Sequence, residues 1–341
     1  MFARRLALRP LAAERPPWLR GTLWVPGDAI VAHLALCAAA LARGESVIAA
    51  VPQTSGLLAT AAALGELGAH CERHEGRWHL AGLGAGGLLA PRRALDFAHE
   101  ALGLELIMGL CAPYDFPARF TADPDLSARP FPALLERLSA FGTAVTEDDR
   151  GRLPISLHGP PVAMPVELDL PPAAPATKAA LLLAALGAPG RSVFVEPAPG
   201  WDHAERLLAS FGGPITVERR DDGSRRITVG GLPALAASRL TIPGDPLAAS
   251  LGLLAASIVP ASELRIERVL VNPARTGFFS ALLAMGADVE VHDLDVVAHE
   301  EVADLAVRHA PLHGITLAAG FIEANFSQLP LLAVAAACAE G

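Results

Sequence analysis

The sequence predicts an α/β fold assembled from repeated units, and three observations carry that prediction. Ala/Leu-rich segments of helical length alternate with short Val/Ile-rich segments of strand length along the chain. The alternation recurs with a period of roughly 70 to 80 residues. Hydrophobic residues make up 52% of the 341 and charged residues 18%, which is enough apolar surface for a sizeable core.

The first copy opens at the turn VPGD (Val25 to Asp28) and runs through AHLALCAAALARG, the strand SVIAAV and the helix LLATAAALGELGAH. The second opens at LDFAHEALGLELIMGL from Leu95 and continues to FPALLERLSAFGTAV. The third opens at PPAAPATKAALLLAALGAPG from Pro171 and continues through SVFVEP, DHAERLLASFGG and PITVER. The fourth opens at IPGDPLAASLGLLAASIVP from Ile242 and passes through ELRIERVLV to GFFSALLAMGADVEV. A fifth starts at GFIEANFSQLPLLAVAAACAEG from Gly320. Helices apolar all round, or over a wide face, belong inside a domain. Gly44, Gly68 and Gly286 follow predicted helices, where a C-terminal cap is expected. A βαβαββ unit cannot bury both faces of its sheet alone, so the copies must pack on each other. The cluster GLGAGGLL (Gly82 to Leu89) opens no helix and reads as a turn rather than a dinucleotide loop.

Composition narrows the function. A net charge of −9 argues against non-specific nucleic-acid binding. The longest apolar runs, such as AALLLAALGA from Ala179, are too short to span a bilayer. The N-terminus, MFARRLALRPLAAERPP, lacks a long apolar stretch and reads as an edge strand and linker. Cys37, Cys71, Cys111 and Cys338 form no CxxC pair, so no metal site or disulfide framework is expected. A reducing, cytoplasmic setting follows. Of 27 basic residues Lys178 is the only lysine, so chemistry that needs a lysine has one candidate.

Nine stretches in order resemble the enolpyruvyl transferases, the EPSP synthase (3-phosphoshikimate 1-carboxyvinyltransferase) branch above all. They are WVPGD (Trp24 to Asp28), LATAAALGELGA (Leu58 to Ala69), LDF (Leu95 to Phe97), LSARP (Leu126 to Pro130) and GRLPISLHG (Gly151 to Gly159). Then come EPAPGWDHAERLL (Glu196 to Leu208), IPGDP (Ile242 to Pro246), NPARTGFF (Asn272 to Phe279) and LPLLAVAAACAEG (Leu329 to Gly341). The resemblance implies an inside-out α/β barrel: two domains of three βαβαββ units each, pseudo-threefold, joined by a double hinge. Helix N-termini would face the cleft, where they favour anions. The division expected is residues 1–20 as a strand and linker of the first domain, 21–238 as a complete three-unit domain, and 239–341 as the return to the first domain. Six units are implied against four and the start of a fifth, so the returning domain is expected to be incomplete and the chain short at its C-terminus.

The implied reaction moves the carboxyvinyl group of phosphoenolpyruvate to shikimate 3-phosphate, in the shikimate pathway to aromatic amino acids, without metal or cofactor. It requires cations on each anionic group and an acid/base pair. The family sets Lys-Ser after the first Gly-Asp and an Arg after the His; here Ala29, Ile30 and Leu34 stand there. The Asn-Ser-Gly-Thr turn of the second copy is His99, Glu100, Ala101 and Leu102. The Ser-Ala-Gln of the third is Ala174, Pro175 and Ala176, and the Arg before Asp-His is Trp201. The Asp-Glu of the fifth is Ser327 and Gln328.

Arg129 matches the family arginine that grips the phosphoenolpyruvate carboxylate; a structural arginine at a helix start is the alternative. Asp28, His33 and Lys178 are weaker candidates, His33 reading also as a partly buried structural histidine and Lys178 as a solvated or structural lysine. Asp202, His203, Glu205 and Arg206 read as a helix-start cluster capped by Asp202, and Arg275 as scaffold. The activity is therefore expected to be lost or strongly reduced. The alternative is a non-catalytic member using the altered cleft for a less anionic ligand, a protein partner or an oligomer contact. A sibling family that loads enolpyruvate onto a UDP-amino sugar uses a loop cysteine, and Cys111 near APYDF is the nearest counterpart.

Overall fold

A computed structural model describes residues 16–146 and 150–341; the first fifteen residues of the expected edge strand and linker lie outside it. The chain opens with β1 (Arg20–Trp24), α1 (Ala29–Leu41), β2 (Arg43–Ala49), α2 (Ser55–Glu66), β3 (His70–His74) and β4 (Arg77–Leu83). Next come β5 (Leu95–Asp96), α3 (Ala101–Cys111), β6 (Pro117–Thr121), α4 (Pro124–Ser127), α5 (Pro132–Ser139), β7 (Ala144–Thr146) and β8 (Ile155–His158). They are followed by β9 (Glu167–Asp169), α6 (Pro175–Gly187), β10 (Arg191–Glu196), α7 (His203–Ser210), β11 (Ile215–Arg219) and β12 (Arg225–Gly230). The rest is β13 (Arg239–Thr241), α8 (Pro246–Ile258), β14 (Glu263–Leu270), α9 (Gly277–Ala284), β15 (Asp288–Val297), β16 (Glu300–Arg308), α10 (Ala319–Ala324) and α11 (Leu329–Ala337).

One sheet design is built four times. A first strand lies parallel to a second, and a hairpin then adds its far strand before its near one, giving β5-β6-β8-β7, β9-β10-β12-β11, β13-β2-β4-β3 and β1-β14-β16-β15. Two of the four exchange their first strand. β1 pairs with β14 (Arg20 beside Glu263), while β13 pairs with β2 (Arg239 beside Val47). The chain therefore passes from one sheet to another at Val25–Asp28 and again at Ile242–Asp245.

The larger core surrounds α1, α3 and α6. Every residue of α1 from Val31 to Leu41 is buried, as is Thr177 to Leu186 of α6. Small residues make this possible: a Cβ on Gly109 of α3 would lie 2.1 Å from the Ala180 carbonyl oxygen of α6, so only glycine permits the approach. A second core gathers Leu253, Phe278, Leu282, Ile266 and Val307 of the returning segment. Gly68 and Gly286 follow α2 and α9 with φ of +98° and +95°, as C-terminal caps do. Gly44 instead lies inside β2, because α1 ends in an extended residue, Ala42.

Candidate functional site: helix ends at the double crossing

The two crossings meet as near-copies of each other. Gly27 bridges Gly244; the Asp28 amide donates to the Pro243 carbonyl at 2.8 Å and the Asp245 amide to the Pro26 carbonyl at 2.9 Å. A Cβ on Gly27 would stand 2.2 Å from the Ala50 carbonyl oxygen, which explains the glycine. Asp28, fully buried, caps α1 by accepting from the Val31 amide at 3.0 Å, and Asp245 caps α8 through the Leu247 amide at 2.8 Å. Arg275 reaches between them. Its guanidinium meets Asp28 Oδ2 at 2.8 Å, an ion pair without hydrogen-bond alignment, and lies 3.7 Å from Asp245. Burial, and then the charge of Asp28, push the Asp245 carboxyl above its usual range. The reading of Arg275 as scaffold acquires content here: it is the cation shared by both helix caps.

Polar contacts extend from Arg275 across the crossing. Its Nη1 lies 3.5 Å from His203 Nε2, and His203 Nδ1 donates to the fully buried Glu300 at 2.7 Å. Asn272 Nδ2 donates to Glu300 at 3.2 Å and to Asp202 at 2.8 Å. Asp202 does not cap α7 as expected. Its carboxylate accepts from Arg206 Nε at 2.9 Å as well as from Asn272, so no side-chain cap bond forms. Burial pushes its carboxyl up, but those hydrogen bonds outweigh it and hold the group below the usual range.

The helix ends expected to receive anions are apolar or acidic. Ala29 begins α1, and Ala29, Ile30, Leu102 and Trp201 pack against the main core, with Leu34 inside it. Glu100 caps α3 by accepting from the Leu102 amide at 3.2 Å and lies 3.7 Å from His33. His33 is 2% exposed and hydrogen-bonded to Thr60 at 2.9 Å. Burial lowers its pKa to about 4, against the opposing charge of Asp28.

Arg129 is exposed in the connection between α4 and α5, beside a hollow of about 260 Å³ shared with Glu105, Thr177 and Phe131. Thr177 Oγ1 donates to Glu105 at 3.0 Å; burial nevertheless raises the Glu105 carboxyl. Lys178 is not solvated. It is 1% exposed, with Nζ 2.7 Å from Glu205 and 2.9 Å from Glu196. Burial pushes the Glu205 carboxyl up despite the pull of Lys178. The lysine is buried because its aliphatic stem belongs to the closely packed α6 and its charge finds two carboxylates inside.

The profile of EPSP synthase (3-phosphoshikimate 1-carboxyvinyltransferase) matches residues 14–341. The chain belongs to the EPSP synthase family. It is 41% identical over 337 residues to 3-phosphoshikimate 1-carboxyvinyltransferase of Chelativorans sp. (strain BNC1), covering 98% of this chain and 75% of that one. It is 40% identical over 324 residues to the protein of that name from Novosphingobium aromaticivorans, covering 95% and 74%. The solved EPSP synthase of Acinetobacter baumannii superposes with a TM-score of 0.87 at 30% identity, over 95% of this chain and 72% of that one.

Against that family pattern, the last two positions separate. Ser327 is exposed. Gln328 is buried, its Oε1 accepting from the Phe278 amide at 2.6 Å and its Nε2 donating to the Arg275 carbonyl at 3.1 Å. It supplies the cap that α9 lacks at Thr276, a role no local sequence signal announces. Cys111 ends α3 fully inside the core, and burial pushes its thiol up, so it is no loop nucleophile. Among the described residues no three His, Cys, Asp or Glu side chains are placed to hold a metal ion, and no helix is long and apolar enough to cross a membrane.

Proposed function

We propose that this chain is an EPSP synthase family member in which transfer of the carboxyvinyl group from phosphoenolpyruvate to shikimate 3-phosphate is lost or strongly reduced. The observation that carries this reading is the fate of the lysine. The start of α1 offers the methyl of Ala29, and the one lysine of the chain is sealed between Glu196 and Glu205. A phosphate or carboxylate placed at these helix ends forgoes charge-assisted hydrogen bonds of about 1.5–3 kcal/mol each. Glu100 at the N-cap of α3, and Glu105 about a turn further along it, add acidic groups near the end where an anion would dock. In the fifth copy, Ser327 and Gln328 offer a hydroxyl and a capping amide in place of a proton acceptor.

Two further readings belong with it. Residues 25–241 form one domain, and β1 with residues 242–341 the other, joined by the paired crossings. Four unpaired cysteines support a reducing, cytoplasmic setting. The runner-up function, a scaffold for a less anionic ligand or a protein partner, draws support from the Glu105 carboxylate beside Arg129.

Phosphate release from phosphoenolpyruvate and shikimate 3-phosphate tests the main reading. We expect no release above the enzyme-free rate and no rescue of a strain lacking the enzyme. Turnover in the common range of about 1–10³ s⁻¹ would falsify it. Tight calorimetric binding of shikimate 3-phosphate without turnover would remove the runner-up alone.

A further inference from the structure

A hollow of about 670 Å³, away from the helix ends described above, lies between the first unit's sheet and the β15–β16 hairpin. Arg77, Arg239 and Arg268 line it, together with Ser210, Ser238 and Thr241. Among the described residues no carboxylate does, in a chain of net charge −9. Nor does any of the three guanidiniums make an ion pair or hydrogen bond among the described residues.

The register explains how the cations come together. Arg239 stands beside Val47 and Thr241 beside Ala49. Arg77 is one residue past the Trp78–Ile48 pair, and so flanks Ala49 from the other side. Alternation along β2 puts Val47 and Ala49 on one face and Ile48 in the core, so these neighbours share a floor with small residues between them. Arg268 arrives from the other body. It sits in the β-bulge between Ile266 and Val269 with φ of +55°, an uncommon backbone for a non-glycine residue. A bulge re-aims a side chain out of the strand's alternation. The turn is pinned on both sides: the Arg268 carbonyl accepts from the Gly244 amide and its own amide donates to Asp304, each at 2.8 Å. Asp304 lies outside the lining and is held by Arg265 at 2.7 Å.

We propose that this hollow binds a metabolite bearing a di- or triphosphate group. Guanidinium forks match phosphate oxygens two at a time, and the hydroxyls of Ser238 and Thr241 supply further donors, that of Ser210 being given to the Leu207 carbonyl at 2.7 Å. The volume falls within the range usual for small-molecule sites. Arg77 and Arg239 belong to the first unit, whereas Arg268 and His299 belong to the returning segment, so a bound diphosphate ties the two bodies together at the crossing. The site stands apart from carboxyvinyl transfer and survives whatever the activity assay returns.

Titration of the full chain with inorganic pyrophosphate, followed by calorimetry at 50 and 200 mM salt, tests it. We expect saturable binding that weakens with salt, a rise in melting temperature, and orthophosphate binding at least tenfold weaker. Arg239→Gln and Arg268→Gln should each weaken pyrophosphate tenfold or more, whereas Arg73→Gln, an exposed arginine on β3 outside the hollow, should not. The unliganded melting temperatures check that the variants fold, and Thr241→Val provides a charge-neutral second probe with a smaller loss. ADP binding at least as well as pyrophosphate assigns the source to a nucleotide; pyrophosphate alone assigns it to a free diphosphate. Absence of binding by both overturns the proposal, as does an equal loss in Arg73→Gln.

Discussion

Asp28 and Ala29 are neighbours in sequence and opposites in circumstance. Asp28 is buried, caps α1 and is paired with Arg275. Ala29, one residue on, opens the same helix with only a methyl group. The same contrast recurs in the fifth copy, where Gln328 caps α9 from inside and Ser327 beside it faces solvent. On the reading proposed above, polar groups whose partners lie within the chain persist, and those whose partner would be a ligand have become apolar, acidic or idle. Removing one partner of a buried pair leaves an uncompensated charge, at a cost of several kcal/mol. Removing a group that meets only a ligand costs the fold almost nothing. Constraint on stability alone is enough to produce this pattern.

The contrast can be broken most forcefully at Lys178. Lys178→Met should destabilise the protein by about 3–5 kcal/mol, because Glu196 and Glu205 then share a buried site without their ammonium. Urea unfolding measures it. The triple change Lys178→Met, Glu196→Gln, Glu205→Leu should recover most of the loss. A single mutant as stable as the parent would show that this lysine is not structural and reopen its candidacy as a ligand. Next comes Arg275→Ala, expected to cost about 3 kcal/mol by leaving Asp28 buried and unpaired at the crossing.

Proton linkage sharpens the comparison at His33, whose pKa falls to about 4 inside the fold from an ordinary 6.5. The unfolded chain therefore binds the proton first as pH drops. Stability from this residue is complete above about pH 6.5 and declines between 6.5 and 4, by about 2–3 kcal/mol. His33→Gln should flatten that stretch of the stability curve. Glu105, Glu205 and Asp245, whose carboxyls are raised, are common to both proteins and drop out of the difference. Identical slopes would mean that His33 is not held neutral, as a histidine open to an anionic ligand would not be.

How much of this was legible in the sequence follows from how far apart the partners stand. The inner helices were readable because an all-apolar helix such as α6 has nowhere to go but inside. The crossing was half readable: both PGD turns were visible, but their mutual hydrogen bonds and the exchange of β1 and β13 join segments far apart in the chain, Arg20 with Glu263 and Val47 with Arg239. Asp202 carried a correct local cap signal and still went elsewhere, because Asn272 and Arg206 offered it stronger donors. Lys178 read as either solvated or structural, because Glu196 and Glu205, which decide between the two, are not local to it on one helix. Arg268 gave no signal, since the bulge that turns it is set by pairing with β16.

The smallest effects separate the last two neighbours. Gln328→Ala removes the acceptor of the Phe278 amide and the donor to the Arg275 carbonyl, both in a buried setting. It should cost about 1–2 kcal/mol, the usual range for a lost helix cap. Ser327→Ala should change stability by less than about 0.5 kcal/mol, as exposed substitutions do. Restoring the family pair by Ser327→Asp with Gln328→Glu therefore divides into a neutral half and a costly one. The glutamate still presents an acceptor to Phe278 but cannot donate to the Arg275 carbonyl, and its charge enters a buried site against that carbonyl oxygen. We expect the double change to be less stable than Ser327→Asp alone, with no phosphate release gained. A double mutant as stable as the parent would mean that Gln328 is not fixed by the fold, and that the family carboxylate was lost here for some reason other than the capping of α9.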